Sequence, residues 1–328
     1  MRRVRPGILL AVLLAVTVGA CGGRGRAPAP PSAIVARVPI DDNINALALG
    51  AHDLWVMGDH ALYRIDQATS RPIGSVELDP GASPPLAAAE AGGTLWVAAL
   101  QPGALWRVDA GADRTAGRVT LAPQLLEPLP VAAWQQTVWV GCCGLSYGSR
   151  SQGRLFRVDA RSGRVTARAA VPEGPLALVA DSRGVWVATA DGEVLRVDAA
   201  TAQVAQRIAA PAAASRFQAM AEAGGRLWLA DSGDGAVRRL DPASGRVDLA
   251  VDAPAPRTLA AGAAGVWVVV TNDRLLVRLD ERGRRLEPPI PFEQLHGVRG
   301  LAVGADAVWA SVDREVVRVD PRRLAPLP

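Results

Sequence analysis

A tryptophan returns at near-constant intervals through almost the whole chain: Trp55, Trp96, Trp139, Trp186, Trp228, Trp267 and Trp309. Each follows a Leu or Val, as in Leu54-Trp55-Val56 and Val185-Trp186-Val187, with a small-residue stretch ahead such as Leu301-Ala302-Val303-Gly304. Behind each comes an Arg-apolar-Asp triplet, from Arg64-Ile65-Asp66 to Arg318-Val319-Asp320. A unit of ~40–45 residues repeated in this way requires an architecture of stacked copies. Within each copy, short apolar or alternating runs are bounded by Gly, Asp and Pro, without sustained helical periodicity, which predicts strands. One strand precedes the tryptophan, one carries it, one ends at the triplet and one follows a turn. That turn is clearest at Asp159-Ala160-Arg161-Ser162-Gly163-Arg164-Val165, where Asp can bond the backbone ahead of it and Gly supplies a positive φ. Four strands in a period of this length make a propeller blade. The expected fold is all-β: a seven-bladed β-propeller of four-stranded blades.

The ends of the repeat test this reading. The last copy stops soon after Asp320, with Pro321, Pro326 and Pro328 opposing a further strand. Ala33-Ile34-Val35-Ala36-Arg37-Val38-Pro39 resembles the fourth strand at Val165-Thr166-Ala167-Arg168-Ala169-Ala170-Val171. The N-terminal strand is therefore expected to complete blade 7, leaving only short, protected sheet edges. The tryptophans are expected to pack between blades. An indole there buries ~150–250 Å², worth about 4–6 kcal/mol as an upper bound.

The run Gly224-Gly225-Arg226-Leu227-Trp228-Leu229-Ala230-Asp231, followed by Leu240-Asp241-Pro242-Ala243-Ser244-Gly245-Arg246-Val247, resembles a repeat of the YVTN/YncE-like propeller family. It is also similar to streptogramin lyase repeats and, in its Asp-x-x-Ser/Thr-Gly turn, to quinoprotein propellers. The resemblance covers about residues 33–320. It implies the propeller fold and no one activity, since such relatives include binders and enzymes.

The N-terminus reads as an export signal. Arg2, Arg3 and Arg5 precede an uncharged apolar run from Ile8 to Val18, too short for a permanent span of ~20 residues. Val18-Gly19-Ala20-Cys21 resembles a bacterial lipobox, which makes Cys21 the expected lipidation site. The divisions expected are a signal peptide over 1–20, a Gly/Pro-rich tether over 21–32 and the propeller over 33–328. The protein is then extracytoplasmic, attached to the bacterial membrane through its lipid, and a monomer. The formal charge of +4 falls to +1 without the three leader arginines, which gives no electrostatic case for nucleic acid.

Candidate site residues cluster on the expected channel mouth, the default ligand site of such a ring. Ten residues before the tryptophans stand Asn45, Leu86, Leu129, Leu176, Gln218, Arg257 and Arg299. The two arginines, in adjacent blades, suit an anionic or carbonyl-bearing ligand, or pair with acidic neighbours such as Asp42 or Glu293. Blade 3 departs from the repeat: 20 residues separate Trp139 from Asp159, against 11 to 13 elsewhere. Its extra segment, residues 141–153, holds the adjacent Cys142 and Cys143 and also Tyr147. Outside the cytoplasm such cysteines form either a strained ring disulfide or free thiols. Gly144-Leu145-Ser146-Tyr147-Gly148 matches G-x-S-x-G, but a nucleophile elbow needs a strand–turn–helix context. His60 and His296 fall in blades 1 and 7, which are neighbours. Glu293 lies near His296 in the sequence. Streptogramin lyases are understood to use histidines and a glutamate near magnesium, and no role is carried over from them to a residue of this chain.

These features lead to a non-catalytic module that binds a small molecule or an envelope protein. The alternative is a streptogramin lyase-like or quinoprotein-like enzyme using the same face. No cofactor is expected; pyrroloquinoline quinone is the one that the quinoprotein resemblance would bring.

Overall fold

Short apolar runs buried on both faces, as in Gly184–Thr189, and alternating runs, as in Arg246–Asp252, form antiparallel strands that gather into seven four-stranded sheets. In this computed structural model the described residues are 32–78, 82–101, 103–109, 111–122, 130–143, 145–146, 149–150, 153–271, 274–286, 290–291 and 298–324. Blade 1 runs outward from Ile44–Leu49 through Asp53–Gly58 and Ala61–Asp66 to Pro72–Glu77. The other blades repeat this order. Their inner strands touch in succession, and Ile44–Leu49 meets Leu301–Val303 of blade 7, which closes the ring. The protein is a seven-bladed β-propeller, as its repeats predict.

Closure uses the N-terminal strand. Ile34–Pro39 pairs antiparallel with Glu315–Val319, placing Ile34 opposite Val319 and Pro39 opposite Glu315. This outer strand enters the ring at the end that carries the turns between strands one and two and between strands three and four. At the opposite end lie the turns between strands two and three and the connections between blades.

Each repeated tryptophan packs into the next blade. Trp55 lies with Leu95, Val97 and Val108 of blade 2, Trp228 with Val266, Val268 and Val277 of blade 6. Trp309 closes the circle against Leu54, Val56 and Ile65 of blade 1. All seven are at most 2% exposed.

The Arg-apolar-Asp triplet proves to be two devices. In every blade but the fourth its arginine lies over that blade's own tryptophan, 5.5–6.0 Å from the ring centroid. Several of these guanidinium groups then donate to the outer turn of the next blade. Arg64 Nη1 reaches Asp113 Oδ1 at 2.7 Å, Arg318 reaches Ser70 Oγ at 3.4 Å, and Arg157 and Arg239 donate to the carbonyls of Ala199 and Glu281. In blade 4 Trp186 Nε1 donates to Asp181 Oδ2 instead, at 3.3 Å.

The triplet's aspartate caps the turn between strands three and four. Asp159 Oδ1 accepts from the Ser162 backbone and hydroxyl at 2.7 and 2.6 Å. Asp198 accepts from Thr201, Asp241 from Ala243 and Asp320 from Arg322 in the same manner. These donors favour the ionised form, and the carboxyls of Asp66, Asp159, Asp198, Asp241 and Asp320 are held below their usual range. A carboxyl depressed in the folded state stabilises it above the unfolded value near ~3.9 and loses that contribution as pH falls further. The urea midpoint is therefore expected to hold from pH 7 to 5 and to drop below about pH 4. Asp159→Asn keeps an acceptor at the cap and should flatten part of that acid limb.

Blade 3 refines the reading of its insertion. Gly141 and Cys142 belong to the regular second strand, Thr137–Cys142, so the departure begins at Cys143. Beyond it, Leu145–Ser146 pairs with Ser149–Arg150 in a small antiparallel ladder. Ser146 thus sits in a two-residue strand, not in the strand–turn–helix setting of a nucleophile elbow.

Candidate functional site

The column ten residues ahead of each tryptophan has a structural cause. In blades 1, 2, 4, 5 and 6 the ladder between the first two strands slips by one residue, and the residue skipped is Asn45, Leu86, Leu176, Gln218 or Arg257. Each is a β-bulge, which takes its residue out of the normal alternation and re-aims it. The bulges all sit where the inner strand begins, on the rim of the central channel. In blade 7 Arg299 holds the equivalent place just before Leu301–Val303, its backbone N–H donating to Ser311 Oγ at 3.1 Å. Gln218, Arg257 and Arg299 are exposed; Asn45, Leu86 and Leu176 are half-buried. Leu129 lies outside the described residues.

Where blades 7 and 1 meet, this rim carries a polar network. Arg299 Nη1 reaches Asn45 Oδ1 at 3.5 Å, and Asn45 Nδ2 donates to Asp59 Oδ1 at 2.9 Å. Asn43 Nδ2 donates to the other Asp59 oxygen at 2.7 Å. Beside it the buried Asp42 accepts from the His60 backbone N–H at 2.9 Å and from Tyr63 Oη at 3.3 Å, with His60 Nδ1 3.1 Å away. Burial pushes the Asp42 carboxyl up, but the donors from His60 and Asn43 outweigh it and hold the group below its usual range. The His60 ring is 86% exposed, so Asp42 fixes one nitrogen while the rest of the ring faces solvent. Arg299 thus leans on Asn45 rather than on Asp42, whose oxygens are already taken.

On the same face, blade 5 buries an ion pair. Arg238 Nε donates to Asp231 Oδ2 at 2.8 Å, and Asp231 also accepts from the Arg216 backbone at 2.8 Å. Arg238 bonds Asp234 as well. Spacing alone did not single out Asp42, Asp59 or Asp231. The clearest signal was at Asp231, which ends its second strand where Gly58, Ala99, Cys142, Val270 and Val312 stand in other blades.

The cysteines separate in role. Cys142 packs among Leu105, Val140 and Phe156 between blades 2 and 3, whereas Cys143 is half-buried with φ +69°. Both are thiols. Burial, then the neighbouring Cys143 thiol, push the Cys142 thiol far above its ordinary value, so it is not a nucleophile near neutral pH. Cys21, Tyr147 and His296 lie outside the described residues. His52 lies on the opposite face from His60, in the first turn of blade 1, and does not join the mouth.

Two clefts among the described residues open on that opposite face. One of about 470 Å³ lies between blades 5 and 6, lined by Glu222, Trp228, Asp280 and Glu281. The other, of about 390 Å³, lies between blades 7 and 1, with His52, Gln67, Asp306 and Arg318. Neither includes a residue of the mouth column.

The fold and the rim define a propeller with a polar channel mouth. No protein-family model matches the chain, and no curated protein matches it in sequence. In fold it is similar to a chain from the crystal structure of a mitotic checkpoint complex, with a TM-score of 0.73 at 12% identity, covering 95% of this chain and 99% of that one. It is likewise similar to a streptogramin B lyase structure, with a TM-score of 0.72 at 13% identity over 87% of this chain and 96% of that one. In all, 1558 solved chains match, so the likeness carries architecture and leaves function to the site.

Proposed function

We propose that this chain is an extracytoplasmic lipoprotein of the YVTN/YncE-like kind, attached to the bacterial membrane through Cys21. Its ring binds a small molecule or an envelope protein at the channel mouth without transforming it. The supporting observation is the column of bulges at the mouth: the slips between strands three and four at the other end always fall within the constant Arg-apolar pair, whereas these vary the side chain they present, from Asn45 to Gln218 and Arg257. A bulge weakens its ladder locally, and its recurrence at the mouth suits a surface that displays side chains to a ligand. Arg257 and Arg299, both exposed there, suit carboxylate or phosphate oxygens.

Thermal shift against a panel of small carboxylates and phosphate esters tests this reading. A ligand at a hundred times its Kd stabilises the ring by about 2.7 kcal/mol. The Arg257→Ala/Arg299→Ala double variant is expected to abolish that shift with little change in the unliganded midpoint. A full response in the double variant would remove the mouth as the site. No response to the panel, with no protein recovered by cross-linking in cells, would remove the binding reading. The enzyme alternative keeps one supporting feature, the exposed His60 ring paired with Asp42. Turnover of a streptogramin by the wild type, lost in His60→Ala, would favour it.

A further inference from the structure

The turns between strands three and four carry a second repeated residue besides the capping aspartate. Facing the cap at the start of the outer strand stand Arg114, Arg164 and Arg246, opposite Asp109, Asp159 and Asp241. Arg71 in blade 1, Arg282, Arg284 and Arg285 in blade 6, and Arg322 and Arg323 at the end of blade 7 extend the same rim. All of these are exposed. Arg284, Arg322 and Arg323 pair with the aspartate of their own turn. Arg246, Arg282 and Arg285 make no ion pair among the described residues.

The cap aspartates are ionised, but each is matched by the triplet arginine two residues before it. The other described acids at this end are Asp113 and Glu281 in these turns and Asp53, Glu90, Asp181, Glu222 and Asp306 at the turns between strands one and two, with Asp113 and Asp53 held by Arg64 and Asp181 by Arg183. The turns between strands two and three have the opposite balance. They hold Asp59, Asp191, Glu193, Asp234 and Asp313, with Glu315 opening the strand that follows, against Arg274 and Arg314. The ring's small net charge therefore conceals two faces of opposite sign.

The N-terminal segment leaves from the arginine face. Ile34 lies opposite Val319, and the Ala33 carbonyl accepts from the Asp320 N–H at 2.9 Å, next to Arg322 and Arg323. From Cys21 to Ser32 the chain spans at most about 40 Å even fully extended.

We propose that the arginine-bearing face docks on an anionic phospholipid bilayer, so that the channel mouth points away from the membrane. In the cell this orientation rests on the Cys21 attachment proposed above; the charge of the face does not. Each arginine near such a surface contributes modestly, and the contributions accumulate only when the arginines share one plane. A propeller's turn face supplies that plane. Screening confines the attraction to about 8 Å at physiological salt, so the face must touch the headgroups.

The test is co-sedimentation of the ring from Ser32 onward, which contains the whole closed propeller, with vesicles. These hold either phosphatidylcholine alone or phosphatidylcholine with phosphatidylglycerol. Binding is expected only to the anionic vesicles and is expected to be lost at 0.5 M salt. The Arg246→Gln/Arg282→Gln/Arg285→Gln triple variant should bind on the order of a hundred-fold more weakly, about five-fold per arginine. A triple of equal charge change on the other face, Arg216→Gln/Arg274→Gln/Arg314→Gln, should bind as the wild type does. No binding to anionic vesicles at low salt, or equal losses in the two triples, would overturn the proposal. Because this ring lacks Cys21, its result is independent of lipidation, which the mass of the mature chain reports separately.

Discussion

A chain lacking residues 1–40 is expected not to form a stable ring. The segment removed contains the outer strand Ile34–Pro39, which supplies every ladder partner on the free side of Glu315–Val319. It also contains Val38 and Ile40, which are 3% and 5% exposed and belong to the core between blades 7 and 1. Ile34 packs on the core between blades 6 and 7, so the deletion weakens two of the seven interfaces at once. Two fully buried aliphatic side chains are worth roughly 3–6 kcal/mol together, against a total stability of about 5–15 kcal/mol. What remains exposes an unpaired edge of Glu-Val-Val-Arg-Val, which invites association. Size-exclusion chromatography should show aggregate in place of monomer. A circular permutant that begins at Asp41 and ends at Ile40, with Asp320 joined to Ala33 through a turn copied from residues 242–245, should recover a cooperative transition near the wild-type temperature. Failure of the permutant alongside the deletion would point to a role for this segment other than closing the ring.

The second large effect concerns a single blade junction. Trp228→Ala empties a site that is 1% exposed, next to Val266, Val268 and Val277 of the following blade, and removes the surface on which Arg239 stacks. Large-to-small changes of this kind cost about 3–5 kcal/mol, which in a domain of this size lowers Tm on the order of 10 °C. Trp134 provides the contrast. It lies outside the repeat and is 43% exposed, so Trp134→Ala should move stability by no more than about 0.5 kcal/mol. Equal losses at the two positions in thermal denaturation would contradict the assignment of Trp228 to a blade junction and Trp134 to the surface.

The ring was legible because each blade restates the same instructions. Trp55 and its six counterparts mark the second strand, the triplet marks the third, and the missing strand at one end matches a surplus strand at the other. Legibility failed where meaning depends on pairing. Nothing in the local residues of Asn45 or Arg257 distinguishes a bulge from a regular position; only the ladder to the next strand does. The triplet's arginine was visible as a marker, while its acceptors lie one blade away, about 40 residues on in the chain. Cys142 looked like the start of an insertion because its neighbour is another cysteine, yet it fills a regular strand position facing the core. Net charge misled in the same way: a sum over the chain cannot show that arginines gather at one set of turns and acids at the other.

The mature N-terminus bears most directly on the central claim, a binding propeller held at the outer side of a bacterial membrane. Mass spectrometry of the protein extracted from bacterial membranes is expected to find a chain beginning at Cys21 with lipid on its sulfur. A chain that keeps residues 1–20, or one cleaved there with an unmodified Cys21, would contradict it.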